Sequence, residues 1–239
     1  MVTDGIVLRR AEYKDNDRML TIFSPEHGRI DAVARGCRRP KSALMNVAEP
    51  FCAGEFTLAE AKGRYTVVQC EIKDNFFPLR YDLDRLTHGA YYLTLADAAA
   101  LPEQGAPEVF LLLMKALAIL TYSELPPTLV TMAFEMRFMP LMGYTPRMDF
   151  CALCDAEVTG AGRFDAERGG AICPRCPSDA PKMTDGARRI ILKAAQTDMN
   201  VIDKLDGHPD WPLAARLYRP FVLQRIDRRN AKVLPELPG

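Results

Sequence analysis

Four of the seven cysteines form two C-x2-C pairs, Cys151/Cys154 and Cys173/Cys176, with eighteen residues between the pairs. Each pair presents two thiolates to one ion, and two such pairs complete a tetrahedron of sulfur ligands around zinc. The spacing therefore predicts a structural Zn²⁺ site. Because all four ligands are thiolates, the ion keeps no open position for catalysis. A single pair would leave a thioredoxin-like redox motif as an alternative, but two pairs without a βαβ pattern argue against it.

The other three cysteines, Cys37, Cys52 and Cys70, lie in apolar or strand-like segments. An odd total does not suit a complete set of intrachain disulfides. Free cysteine behaves as a small apolar residue, so we expect three buried thiols here.

A second group of residues with chemical potential is basic. Arg35, Arg38, Arg39 and Lys41 are concentrated in one glycine-containing loop, and we expect Arg29 on the same side. Such a loop on a small barrel suits contacts to nucleic-acid phosphates, and arginine also stacks on bases. These five residues are the predicted DNA-binding set. The cluster alone is equally compatible with a solvated loop that binds no ligand.

The elements that position the basic loop read as β-structure from residue 1 to about 80. Short apolar or alternating runs at 5–8, 19–23, 29–34, 51–58 and 65–72 are separated by turn residues. Five short strands fit a closed barrel, and the OB-fold is the five-stranded barrel of this size. Periodicity alone does not separate it from an SH3-like barrel.

From about residue 82 the pattern becomes helical. Proline, glycine and capping residues predict helices at 83–101, 107–122, 128–142, 184–196 and 213–229, the last interrupted at Pro220. Pro140 is expected to kink or end the third helix, and Gly143 to cap it. We therefore expect an α+β multi-domain chain: an OB-fold barrel (1–80), a central α-helical domain (81–145), an inserted four-cysteine zinc finger (146–181) and C-terminal helices packing on the helical domain (182–239).

Bulk properties exclude some functions. The formal net charge is zero, so attraction to a polyanion must come from local clustering. No signal peptide is visible, and the longest apolar run, 109–120, is too short to span a bilayer, which predicts a cytoplasmic protein. No P-loop, nucleophile elbow or H-E-x-x-H motif accompanies the three histidines. We therefore predict no enzyme and assign no catalytic residue.

Specific motifs run along the chain. They include GIVLR at 5–9, YKDNDR at 13–18, LTIFS at 20–24, EHGRI at 26–30, ARG at 34–36 with RR at 38–39, PF at 50–51, FEMR at 134–137 and LMGY at 141–144. With the cysteine pairs that follow, the chain resembles the RecO family of bacterial recombination mediators over nearly its full length.

The resemblance implies a function in DNA repair and recombination after DNA damage. It implies binding of single- and double-stranded DNA, annealing of complementary strands, partnership with RecR, and contact with the acidic C-terminal tail of single-stranded DNA-binding protein, which together load RecA. The basic loop then matches the family's DNA-contacting segment, the four paired cysteines match its metal ligands, and Arg137 is a candidate for binding the partner's tail. The alternative from the residues is a zinc-ribbon protein-interaction module in transcription or RNA metabolism.

Overall fold

A computed structural model of the chain describes residues 1–194, 196 and 198–226. The chain divides into two compact units, Met1–Leu117 and Ala118–Gly239. None of the described helices is long and apolar enough to cross a membrane.

The N-terminal unit contains a closed five-stranded barrel in the order β1-β2-β3-β5-β4. Its strands are β1 (Val2–Lys14), β2 (Asp17–Ser24), β3 (Gly28–Ala34), β4 (Ala53–Ala61) and β5 (Arg64–Asp74). Neighbouring strands are antiparallel except β3 and β5, which close the barrel through a short parallel pairing at Ala32 and Val33. The predicted OB-like barrel is confirmed.

The barrel interior follows the two-residue period of its strands. In β3, Ile30, Ala32 and Ala34 are buried, and the residues between them are not. The connection from β3 to β4 also contributes to this core, because Cys37 and Cys52 are buried in it. Both thiols are therefore buried as predicted, whereas Cys70 is half-buried against the same cluster.

Helices follow the barrel at the predicted places. A 3₁₀ turn, Phe77–Tyr81, leads into α1 (Leu83–Ala99), whose first turn is capped because the Asp82 carboxylate accepts the Arg85 N–H at 3.1 Å. The next helix, α2 (Pro107–Tyr122), starts with proline at its first position. The division between the two units falls inside α2.

Within the N-terminal unit, the turn before β3 meets the connection between α1 and α2 through main chain alone. The Arg29 N–H donates to the Leu101 carbonyl at 3.1 Å. A Cβ on Gly28 would collide with that same carbonyl, and a Cβ on Gly105 would lie 2.6 Å from the Glu26 carbonyl. Only glycine allows this approach at either position.

The second unit combines helices with a small sheet. Its helices are α3 (Pro127–Leu141), α4 (Asp185–Ala194), a 3₁₀ helix (Met199–Leu205) and α5 (Trp211–Arg225). Its strands, β6 (Gly162–Asp165), β7 (Gly170–Ile172) and β8 (Lys182–Met183), pair in the order β7-β6-β8. α3 packs against α5 and α4. Between α3 and α5, the buried Glu135 carboxylate forms an ion pair with the Arg219 guanidinium, whose Nε lies 2.7 Å from Oε1.

The ends of these helices follow the predicted signals, with one correction. Gly143 has φ 83° and follows α3, and the Tyr144 and Gly143 N–H groups donate to the Met139 and Pro140 carbonyls at 2.9 Å, as in a Schellman motif. The predicted interruption at Pro220 is wrong. α5 continues through this residue because Tyr218, Phe221 and their neighbours are buried, and packing outweighs the one lost hydrogen bond. Residues 227–229 of the predicted helix, and residue 195 of the one before it, lie outside the described residues.

Candidate nucleic-acid interface and metal centre

The basic loop is fastened to the tip of the β1–β2 hairpin by its own backbone. The Gly36 N–H donates to the Asp17 carboxylate at 2.8 Å, and the Arg38 N–H donates to the Asn16 carbonyl at 3.1 Å. Between these two bonds the Cys37 side chain is buried in the barrel core. These backbone contacts hold the loop without using the side chains of Arg35, Arg39 or Lys41.

Four predicted DNA-binding residues lie together on this loop. Arg35, Arg38, Arg39 and Lys41 are all exposed. Arg38 pairs with Glu12 at 2.6 Å, but across the described residues Arg35, Arg39 and Lys41 take part in no ion pair. Three cations without a counter-charge therefore face solvent at one end of the barrel.

The structure does not bring Arg29 to this place. Arg29 lies near the start of β3, whereas the loop begins after the end of the strand, about 20 Å away at 3.3 Å per residue. Its guanidinium pairs with Asp31 on the same strand at 3.0 Å. Arg29 is therefore separate from the loop cluster.

An aromatic side chain near the loop was missed in the sequence. Tyr13 lies at the hairpin tip, is 43% exposed, and has the Lys14 ammonium 5.6 Å from its ring centroid. Exposed aromatic rings beside cations are the platforms on which unpaired bases stack. The signal that could have identified Tyr13 was its place next to the Asp15–Asn16 turn, because hairpin tips are solvent-exposed.

The four paired cysteines converge in the second unit. Their sulfur atoms all lie within 4.8 Å of one another. The Cys151–Cys176 and Cys154–Cys173 sulfur distances are 3.9 Å and 3.7 Å. A tetrahedron with metal–sulfur bonds of about 2.3 Å has edges of about 3.8 Å, so the cluster has the size that a zinc-like ion requires. These residues could hold a metal ion.

Local backbone contacts shape the first cysteine turn. The Cys151 N–H donates to the Ala156 carbonyl at 2.8 Å, and the Ala152 N–H donates to Ala171 in β7 at 2.8 Å. Asp155, which completes the turn, has φ 58°. The turn is therefore fixed both to itself and to the sheet that carries the second pair.

Backbone donors also favour the charged form of one ligand. Burial by itself would raise the pKa of Cys151, but N–H groups donate to its sulfur, from Cys173 at 3.3 Å and from Leu153 at 3.5 Å, and the pKa falls to about 6. A thiolate is the form of cysteine that binds metal.

The residue predicted to bind a partner's tail has a less open position. Arg137 is half-buried on α3 and interacts with other residues of the protein. A cavity of about 390 Å³ lies elsewhere in this unit, between α4 and the 3₁₀ helix. Its lining includes apolar side chains, three cations and two carboxylates, namely Ile190, Ala194, Val201, Leu205, Arg189, Lys193, Lys204, Asp185 and Asp210. Arg189 pairs with Asp185 at 2.7 Å.

Comparison with known proteins decides the family. Residues 1–76 match the family model described as Recombination protein O N terminal, and residues 80–232 match Recombination protein O C terminal. The chain belongs to the RecO family. Relatives within the RecO family include the DNA repair protein RecO of Moorella thermoacetica, which is 39% identical over 175 residues, covering 72% of this chain and 65% of that protein.

Other RecO relatives align over more of their length. The DNA repair protein RecO of Alkaliphilus metalliredigens is 32% identical over 232 residues, covering 95% of this chain and 94% of that protein. The one from Acetivibrio thermocellus is 33% identical over 201 residues, covering 83% and 80%. The resemblance seen in the sequence is confirmed, and the RecO family is one of DNA repair and recombination proteins.

Proposed function

We propose that this chain is a DNA repair and recombination mediator whose barrel binds the DNA backbone through the basic loop. The observation that carries the proposal is the group of exposed, unpaired cations Arg35, Arg39 and Lys41, held in place by backbone bonds on a closed barrel of the RecO family. Cations without counter-charges gain most from phosphate contact, since they give up no internal partner.

The surface formed by the basic loop and Tyr13 suits single-stranded DNA best. The loop offers phosphate contacts and Tyr13 offers a stacking surface for a base. Double-stranded DNA offers the same phosphates, and we propose that it binds through the same cations with less use of Tyr13. Annealing of complementary strands then needs no energy source, because base pairing drives it once phosphate repulsion is neutralised.

A titration of labelled oligothymidylate at several salt concentrations tests this function. Each neutralised phosphate lowers the slope of log K against log salt by about 0.7 on a single strand. We expect a slope of about −2 or steeper from the three unpaired cations. Binding that does not respond to salt would favour the alternative of a protein-interaction module.

We propose three protein partners: RecR, single-stranded DNA-binding protein through its acidic C-terminal tail, and RecA indirectly. Two places in the second unit suit the tail. Arg137 is one, and the cavity between α4 and the 3₁₀ helix is the other. That cavity joins apolar lining to the cations Arg189, Lys193 and Lys204, which outnumber its two carboxylates, Asp185 and Asp210. An acidic tail with apolar residues complements both properties of that cavity.

A pull-down with single-stranded DNA-binding protein, with and without its last residues, tests the tail. Lys204→Glu should weaken capture if the cavity is the site, and Arg137→Ala should weaken it if α3 is the site. Capture that persists without the tail would refute tail recognition altogether.

We also propose that the four-cysteine cluster holds structural zinc. When bound, zinc would join the two cysteine turns through four metal–thiolate bonds, and the sulfur spacing fits this geometry. With four thiolates the ion would keep no site for substrate, so we propose no catalytic role for it and no enzymatic activity for the chain.

A further inference from the structure

Three arginines and two glutamates form a connected network beside the basic loop. Glu12 binds two guanidinium groups, with Arg38 Nη1 at 2.6 Å and Arg18 Nε at 3.3 Å. Glu49 likewise binds two, with Arg10 Nη1 at 2.6 Å and Arg18 Nη1 at 2.7 Å, both through the same oxygen. Each carboxylate thus lies in a position between two arginines.

Arg18 is the fixed centre of this network. Its side chain is 15% exposed, and Nη1 also donates to the Ala48 carbonyl at 3.3 Å. Burial by itself would lower the pKa of Arg18, but hydrogen bonds and charge interactions with Glu49 and Glu12 outweigh it and raise the pKa. The guanidinium is therefore charged and pre-oriented before any ligand arrives.

We propose that Arg10, Arg18 and Arg38 form a binding site for the phosphates of a DNA strand, and that Glu12 and Glu49 occupy the phosphate positions while the protein is free. This inference rests on the proposed function, since it extends the DNA-contacting surface from the loop to the hairpin. Arg10 and Arg18 then act as phosphate ligands, and the two glutamates act as internal competitors.

The chemistry of the two anions supports the exchange. A phosphodiester, like a carboxylate, carries one negative charge and accepts hydrogen bonds from two guanidinium groups at once. The Glu12 side chain is 58% exposed and Arg38 is 43% exposed, so their pair is screened by solvent and easily opened. Once both glutamates turn away, the site carries three positive charges where it had a net charge of one.

A different role for the network is a brace between the hairpin and the loop. A brace would use the same distances but would make no prediction about DNA. The two roles predict different DNA affinities for a variant without the Glu12 charge. Affinity increases if Glu12 competes with phosphate, and it stays unchanged if the ion pair only supports the fold.

The test compares Glu12→Gln with Asp4→Asn by fluorescence anisotropy on labelled oligothymidylate at several salt concentrations. Asp4 is a matched control because it lies on the same strand, pairs with Lys73 at 2.6 Å, and is about 26 Å away along β1. Both substitutions raise the net charge by one. Thermal unfolding of each variant, followed by circular dichroism, checks that the barrel remains folded.

We expect Glu12→Gln to bind severalfold more tightly than the wild type, with a salt slope steeper by about 0.7, and Asp4→Asn to bind as the wild type does. Adding Arg38→Ala to Glu12→Gln should make the gain smaller, because a phosphate ligand is then lost. Glu49→Gln provides a second variant with the same expected direction.

Equal gains in Glu12→Gln and Asp4→Asn would overturn the inference, since net charge alone would explain them. It is also overturned if both Glu12→Gln and Glu49→Gln bind no more tightly than the wild type. Either result leaves the proposed function in place as long as the wild type binds DNA with a salt dependence. Absence of DNA binding by the folded wild type would instead refute the proposed function.

Discussion

Arg35 and Arg39 are available to a ligand because backbone hydrogen bonds, and not their own side chains, hold the loop in place. The Gly36 and Arg38 N–H groups supply those bonds, and the buried Cys37 anchors the chain between them. Substitution of the flanking cations should therefore change binding without loosening the loop.

Replacing both Arg35 and Arg39 by Ala should lower affinity for single-stranded DNA and reduce the magnitude of the salt slope by about 1.4, which corresponds to two phosphates. Arg29→Ala is the control, because Arg29 lies about 20 Å from the loop along β3. The measurement is the same salt-dependent titration. A larger effect from Arg29→Ala than from the double variant would show that DNA crosses a different face of the barrel.

The Tyr13 ring offers a second test of the surface beside the basic loop. Tyr13→Ala should cost about 1–3 kcal/mol of binding free energy if a base stacks on the ring. Tyr13→Phe keeps the ring and should bind nearly as the wild type does. Anisotropy titrations of both variants measure this difference, and a Tyr13→Phe loss as large as that of Tyr13→Ala would argue against stacking.

Among the elements, α3 and α5 depend on a charge pair in a buried place. Glu135 is 1% exposed, and the Arg219 guanidinium reaches it at 2.7 Å. Taking one partner from such a pair leaves a charge in a medium that solvates it poorly. The contact between the two helices is therefore sensitive to either residue.

Arg219→Met should lower the free energy of unfolding by about 3 kcal/mol, measured by urea denaturation. Arg216→Met, on the same helix at an exposed position, should change it by less than about 0.5 kcal/mol. Equal stability of the two variants would mean that packing alone holds α3 against α5.

Local signals in the sequence predicted much of the fold and part of the site. Proline at the start of α2, Gly143 after α3 and the two C-x2-C turns each act over a few residues, so their structural meaning is visible in the chain itself. The continuation of α5 through Pro220 depends on packing against distant residues, and no local pattern encodes it.

Some contacts of the arginine network could likewise be predicted from local sequence, and others depend on the tertiary fold. Glu12 and Arg18 are direct cross-strand partners in the β1–β2 hairpin, so a hairpin prediction could have paired them. Arg10 and Glu49 are brought together only when the β3–β4 connection folds over the barrel. The separation of Arg29 from the loop likewise needed the strand direction and length.

Over the whole molecule, positive and negative side chains are equal in number, but they are not evenly distributed. A net charge of zero coexists with three unpaired cations at one end of the barrel. Long-range attraction to DNA should therefore be weak, and affinity should depend on close contact.

Replacement of one cysteine ligand tests whether bound metal stabilises the second unit. Cys173→Ser should abolish stoichiometric zinc binding and reduce hydrogen-exchange protection between β6 and β8, while protection of the barrel stays unchanged. Cys70→Ser, which alters a thiol outside the cluster, should bind zinc as well as the wild type does. Metal analysis and exchange mass spectrometry give both results, and a zinc-free Cys173→Ser with normal protection would refute a stabilising role for the metal.

The close approach of Gly28 to the α1–α2 connection determines where the chain can be truncated to give a stable N-terminal fragment. An excised fragment ending at residue 80, where the first domain was predicted to end, would lose the main chain that covers the turn at Glu26 to Gly28. The cut would also expose the Phe23 ring, which packs edge-on against Phe110 of α2 at 5.7 Å between ring centroids. A transplantable barrel must therefore carry α1 and the start of α2 with it, as the N-terminal unit Met1–Leu117 does.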